Sequence, residues 1–192
     1  MVQTPVKLTF EEYLTYDDGT DTRYELENGQ LIAMTPPSPR HITIDLFLYQ
    51  QFWLEQTRLN SQWVVIVGAG IRTDIAKSRI PDLFVVEGNV WASIQNQSQA
   101  ILENLPVLLA VEIVSPGREN RRRDYEDKVR EYRDLGILEY WIVDPLENQI
   151  TVFTLVNGEY QKQVYRGESR IASPTFPELS LTCDRILNPP LY

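Results

Sequence analysis

Apolar and polar positions alternate with two different periods along this chain, and the change of period marks its elements. Val107-Leu108-Leu109-Ala110-Val111 is an unbroken apolar run between Pro106 and the turn Ser115-Pro116-Gly117, which predicts a strand buried on both faces of a sheet. Leu83-Phe84-Val85-Val86 and Leu138 to Val143 read the same way, and Pro81 is tolerated because it opens its strand. Arg23 to Glu27 and Leu31 to Met34 flank Asn28-Gly29-Gln30, while Ile150 to Leu155 and Tyr160 to Tyr165 flank Asn157-Gly158. Asn-Gly between two such segments predicts a hairpin. Trp63 to Val67 and Gly70 to Arg72 are expected to form a further hairpin, joined to the Pro81 strand by a polar loop from Asp74 to Arg79.

The helical period appears in three places. Thr9-Phe10-Glu11-Glu12 is a capping-box pattern for a short helix through about Leu14. Ile42, Leu46, Tyr49, Phe52 and Trp53 recur at helical spacing after the turn at Pro36 to Pro39, and predict a core helix through about Leu59. A charged helix follows Gly117 and ends near Gly136, with Arg121, Asp124 and Lys128 expected on one face. Strand, helix and strand from Val107 to Val143 make a crossover unit, so part of the sheet is expected to be parallel. Trp91 to Asn104 reads as an ordered loop, and the Pro-rich tail from Pro174 to Tyr192 as irregular chain packed over an edge. The expected fold class is α/β, a mixed β-sheet flanked by α-helices in one domain spanning residues 1–192.

Composition narrows the class. With 192 residues and 43% apolar content, a single substantial core is expected. No stretch approaches the roughly 18 apolar residues of a membrane span, and the N-terminus lacks a basic region followed by an apolar run, so a cytoplasmic location without membrane association is expected. The single cysteine, Cys183, has no partner for a disulfide and reads as a small core side chain. The net charge of -9 argues against a general binder of nucleic acid. The charge is uneven: seven basic and five acidic residues between Gly117 and Arg133 make a local +2 and leave -11 for the remainder.

The candidate chemistry lies at strand ends. Glu112 terminates the Val107 strand, and a carboxylate there is costly to desolvate without a cation or several donors. Asp82 follows Pro81 at the start of another buried strand. Two such acids, with Lys128 on the next helix, supply oxygen ligands for a hard divalent cation and a positive charge for a phosphate. Asp124 is placed to hold Lys128 through an i to i+4 pair, and Tyr132 lies one turn beyond, as an accessory group or a core aromatic. Glu25 and Glu27 share one face of their strand, which reads as an exposed sheet face. His41, the only histidine, opens the long helix either as a helix-terminal hydrogen-bond partner or as a group near the acids.

Five blocks in this order, Tyr24-Glu25-Leu26-Glu27-Asn28-Gly29, Pro81-Asp82, Glu112-Ile113-Val114-Ser115-Pro116, Asp124-Tyr125-Glu126-Asp127-Lys128 and Glu139-Tyr140-Trp141-Ile142-Val143-Asp144-Pro145, resemble the PD-(D/E)xK nuclease superfamily and, within it, the restriction endonucleases of the Uma type. The resemblance implies a restriction-endonuclease-like fold and Mg²⁺- or Mn²⁺-dependent hydrolysis of DNA phosphodiesters. Asp82, Glu112 and the carbonyl of Ile113 would hold the metal, and Glu25 would be a further acid near it; the family pattern also carries a histidine at the position of His41. Val114 stands where the superfamily expects lysine, and the Uma pattern moves that role to Lys128. Cutting both strands of a duplex commonly requires two sites, so a homodimer is expected. A catalytically inactive module that binds DNA or a protein partner, and a purely structural network of these charges, are the alternatives.

Overall fold

The computed structural model describes residues 7–190. Period-two alternation is visible in how the larger sheet buries its side chains. That sheet runs β11-β10-β9-β8-β6-β3, with β3 Trp63–Val67, β6 Leu83–Glu87, β8 Leu109–Ile113, β9 Glu139–Asp144, β10 Gln149–Val156 and β11 Glu159–Tyr165. Leu83, Val85, Leu109, Val111 and Ile113 point into one apolar layer; Phe84, Val86 and Ala110 point into a second layer on the opposite face. Successive strand residues face opposite ways, so Glu112 shares the face of Ala110. Strand β8 is parallel to β9 and antiparallel to β6, which makes the sheet mixed.

A smaller sheet runs β2-β1-β5-β4-β7, with β1 Tyr24–Glu27, β2 Gln30–Ala33, β4 Gly70–Asp74, β5 Lys77–Arg79 and β7 Ile101–Leu102. The β1–β2 hairpin closes through Asn28 and Gly29, at φ 51 and 82, the left-handed pair that a two-residue turn of this hand demands. β4 and β7 run parallel, so this sheet is mixed as well.

The helices are α1 Phe10–Leu14, α2 Pro39–Leu59, α3 Gly88–Ser93, α4 Arg118–Arg122, α5 Lys128–Asp134 and α6 Cys183–Leu187. The capping box at Thr9 and Glu12 forms in both directions. Between α4 and α5 the chain makes one π-helical turn, Arg123–Asp127, in which the Lys128 N–H reaches back to the Arg123 carbonyl. The Tyr140 hydroxyl donates to the Asp124 carbonyl at 3.0 Å and anchors that wide turn to β9. No helix among the described residues is long and apolar enough to cross a membrane.

Several expectations are corrected. Trp63–Val67 and Gly70–Asp74 do not pair with each other: β3 joins β6, while β4 joins β5 across the segment expected to be a polar loop. Glu112 lies inside β8 and not at its end, because the strand is shifted two residues toward the C-terminus. The loop expected from Trp91 to Asn104 contains the end of α3 and strand β7. The tail is not an edge cover. Phe176, Leu179, Leu181, Ile186 and Leu187 enter the core against α2, because β9 and β10 present an apolar face that the long helix alone does not fill. Leu191 and Tyr192 at its end, and residues 1–6, lie outside the described residues.

The largest correction concerns α2. Its buried residues are Ile44, Phe47, Leu48 and Phe52, whereas Ile42, Leu46, Tyr49 and Trp53, expected in the core, face solvent. Of the five residues predicted to be buried, Phe52 alone is.

Candidate active site

Strand pairing brings the two acids together. Leu83 is paired with Val111 in the antiparallel β6–β8 ladder, so Asp82 and Glu112, one step further along each strand, are opposite neighbours. Asp82 accepts a hydrogen bond from the Ile113 N–H at 2.6 Å. Ile113, expected to contribute its carbonyl, therefore contacts Asp82 through its N–H. The other Asp82 oxygen lies 2.8 Å from His41 Nε2, so the lone histidine belongs to this site.

The helix following β8 supplies the cation. Lys128 Nζ lies 2.7 Å from Glu112, 3.2 Å from Asp124 and 3.4 Å from Glu25. The second oxygen of Glu112 accepts the Tyr132 hydroxyl at 2.9 Å, which gives that buried ring a polar partner. Glu25 also accepts the Ile80 N–H at 3.1 Å and meets Arg79 at 3.3 Å. All of these groups except Tyr132 and Arg79 line one cleft of about 660 Å³, together with Arg23 and Arg123. Arg121 does not join them. It pairs with Asp144 and stacks over Tyr125, because the π turn between Arg121 and Lys128 breaks the 3.6-residue repeat on which a common face depends.

Burial and like charge dominate the electrostatics. Burial raises the Glu112 carboxyl well above the usual range, and the charges of Asp124, Asp82 and Glu25 add to it, although Lys128 opposes them. Asp124 is raised for the same first reason, its burial. Burial alone would lower the Lys128 amine, but the three carboxylates around it hold it well above its ordinary value, so it is an ammonium. Burial likewise opposes the charged form of His41, and the hydrogen bond and charge of Asp82 outweigh it and raise the imidazole. Glu25, Glu112 and Asp124 thus surround a single buried lysine, and Asp82 shares their cleft.

That shortage of positive charge is where a divalent cation fits chemically. Asp82 and Glu112 are hard oxygen donors on adjacent strands, and Mg²⁺ is commonly held by one or two carboxylates with waters completing its shell. Among the described residues no group of three or more His, Cys, Asp or Glu side chains is arranged to hold a metal ion, so Asp82 and Glu112 would supply only part of such a shell.

Two participants had no clear signal in the sequence. Asp45 lies one helical turn after His41 and lines the cleft, and its Oδ1 is buried with no hydrogen-bond partner among the described residues. The i to i+4 spacing from His41 was the only available hint. Arg79 is fully buried and holds Glu25, Glu27 and Glu131 together; the alternation of β1 placed Glu25 and Glu27 on one face but did not name the cation between them.

The overall arrangement has a solved counterpart. A crystal structure described as "a putative nuclease belonging to DUF820" from Anabaena variabilis aligns with a TM-score of 0.76 over 94% of this chain and 97% of that one, at 17% sequence identity. At that identity the likeness establishes the shared fold. No curated protein matches the sequence. A family model, Uma2, described as "Putative restriction endonuclease", matches residues 10–184, a span that includes every residue of the cleft. This chain, with its acids on paired strands and its lysine on the following helix, belongs to the Uma2 family.

Proposed function

We propose that this protein is a metal-dependent DNA endonuclease of the PD-(D/E)xK type in which Lys128 replaces the strand lysine absent at Val114. The observation that carries the reading is the 2.7 Å contact between Lys128 and Glu112, made from a helix into the cleft that also holds Asp82. Asp82 and Glu112 are the ligands proposed for Mg²⁺ or Mn²⁺, with the carbonyl of Ile113 as a third oxygen. Bound there, the ion would supply Lewis-acid polarisation of a phosphate oxygen and a more acidic water.

The protein groups have separable tasks. Lys128, held as an ammonium, cannot accept a proton; it orients the attacking water and offsets the negative charge that develops on the phosphate as the P–O bond breaks. Asp124 and Glu25 fix its position from either side. Tyr132 orients Glu112, and His41 orients Asp82. Arg23 and Arg123 offer the cleft's remaining cations to the flanking phosphates. Cutting both strands of a duplex commonly requires two sites, so a homodimer is the acting form proposed.

Plasmid nicking tests this. Wild type with Mg²⁺ or Mn²⁺ at low salt, chosen because the net charge of -9 weakens binding to DNA, is expected to cut, and Lys128→Ala to lose on the order of 10² to 10³ in rate. Equal cutting by both proteins would remove Lys128 from the mechanism. Intact metal binding with no cutting of plasmid or oligonucleotide by wild type would favour an inactive DNA- or partner-binding module.

A further inference from the structure

The outward face of α2 is apolar where a solvated helix is normally charged. Ile42, Leu46, Tyr49 and Trp53 succeed one another at spacings of four, three and four residues, and they are 44%, 63%, 38% and 49% exposed. This is the spacing of a coiled-coil seam. It lies almost opposite the buried stripe of Ile44, Phe47, Leu48 and Phe52, so the helix is apolar on two faces while only one is covered. Its polar flanks are uncharged for the most part: Thr43, Gln50 and Gln56 border the seam, and no lysine or arginine occurs between Arg40 and Arg58.

We infer that this face docks a second copy of the chain, with the two α2 helices antiparallel about a two-fold axis between Leu46 and Tyr49. A two-fold contact requires a patch that complements itself, residue i meeting j and j meeting i. The stripe has that property. Antiparallel pairing sets Ile42 against Trp53 of the partner subunit and Leu46 against Tyr49 of the partner subunit, so each aromatic ring meets a smaller aliphatic chain. Parallel pairing would oppose ring to ring and leave gaps between the aliphatic pairs.

Other occupants fit less well. A phosphate backbone or an anionic membrane needs cations that this face lacks, and the overall charge of -9 would repel both. Two copies of so acidic a chain also repel, which favours contact through a surface carrying little charge. The size is adequate as well. Taking about 200 Å² for a fully exposed large side chain, the four residues offer on the order of 400 Å² of apolar surface per copy. Interfaces are roughly three-fifths apolar, which scales this to about 1,300 Å² in total, within the range of stable complexes.

The pairing also has a consequence that rests on the nuclease reading. Ile42 lines the cleft beside His41, and eleven residues at 1.5 Å each separate it from Trp53. The rims of the two clefts would therefore lie roughly 16 Å apart along the shared helix axis, close enough to serve the two strands of one duplex.

Sedimentation equilibrium without DNA or metal tests the contact independently of any nuclease activity. Wild type is expected to sediment as a dimer at micromolar concentration, and Leu46→Glu as a monomer with association weakened at least about a hundredfold; circular dichroism checks that the variant folds, as it should with its core untouched. Mixed Leu46→Cys and Tyr49→Cys chains are expected to form a covalent heterodimer on mild oxidation in higher yield than either variant alone, which decides the matter if Leu46→Glu does not fold. A monomeric wild type, a folded Leu46→Glu dimer, or cross-linking without preference for the mixed pair would each overturn the inference. A dimer of this geometry that cuts no DNA would leave the interface standing and count only against the nuclease reading.

Discussion

Arg79 and Glu131 meet through two parallel hydrogen bonds, Nη2 to Oε1 at 2.7 Å and Nε to Oε2 at 2.8 Å. Arg79 belongs to β5 and Glu131 to α5, three residues after Lys128, so the pair ties the helix that carries the candidate catalytic lysine to the smaller sheet. The same guanidinium touches Glu25, itself a neighbour of Lys128. A planar fork matches this task in a way a lysine ammonium does not. One buried cation thus links the site's geometry to the attachment of α5.

Removing that cation is expected to be expensive. Arg79→Leu leaves Glu25, Glu27 and Glu131 without their shared partner, and breaking a buried ion pair from one side costs about 3 to 5 kcal/mol, to be read by urea denaturation. The network also has an acid limit. Burial opposes ionisation of Glu131, yet the hydrogen bonds and charge of Arg79 prevail and hold it below its ordinary value of 4.5. With a depressed folded value, its stabilisation is present above pH 4.5 and is lost as pH falls through the folded value. Wild type should therefore lose stability below that pH more steeply than Glu131→Gln.

Metal binding should register in the folded state alone. Two facing carboxylates gain from a cation between them, so Mn²⁺ or Mg²⁺ is expected to raise the melting temperature of wild type. Asp82→Asn should abolish most of the rise, as measured by calorimetry at matched ion concentrations. An equal response in both proteins would place the ion elsewhere.

Asp45 offers a test at the cleft wall. Burial, and secondarily the charge of Asp82, push its carboxyl up to about 6 from 3.8. A raised folded value means that this group favours folding below pH 3.8 and that the advantage is lost as pH rises through about 6. Asp45→Asn is expected to match wild type near the acid end and to be more stable at pH 8. The gain should be on the order of 1 kcal/mol, a value discounted because the side chain is only partly buried. Melting of the metal-free proteins across that range provides the comparison.

Tyr132→Phe isolates the donor on Glu112. The ring remains in its packing against Tyr140, but one buried carboxylate oxygen loses its hydrogen bond, at a cost of about 1 to 3 kcal/mol. The carboxyl should then hold its proton to higher pH, so metal binding to the variant, followed by titration calorimetry, is expected to need a higher pH than in wild type.

What was legible in the sequence was local or set by a short repeat. Unbroken apolar runs announced the strands buried on both faces, and Asn28 and Asn157 marked hairpins because few other residues tolerate the left-handed backbone they adopt, at φ 51 and 52. Asp82 and Glu112 were nameable because each stands at the edge of an apolar run, and Lys128 because the resemblance to the Uma type places the missing strand lysine on that charged helix. The tertiary structure decided what each repeat faces. Two apolar stripes run along α2, and periodicity reports that a face exists without saying what covers it, so Leu46 and Trp53 were expected inside and lie outside. Glu25, on a half-polar strand, was equally compatible with solvent; only the arrival of Arg79 from another strand and Lys128 from a helix about a hundred residues away made it part of the site. Adjacent strands β3 and β4 went to different sheets: β4 turns back on β5 across a tight turn, while β3 pairs with β6 beyond them, a choice of partner that the apolar pattern of each segment does not contain.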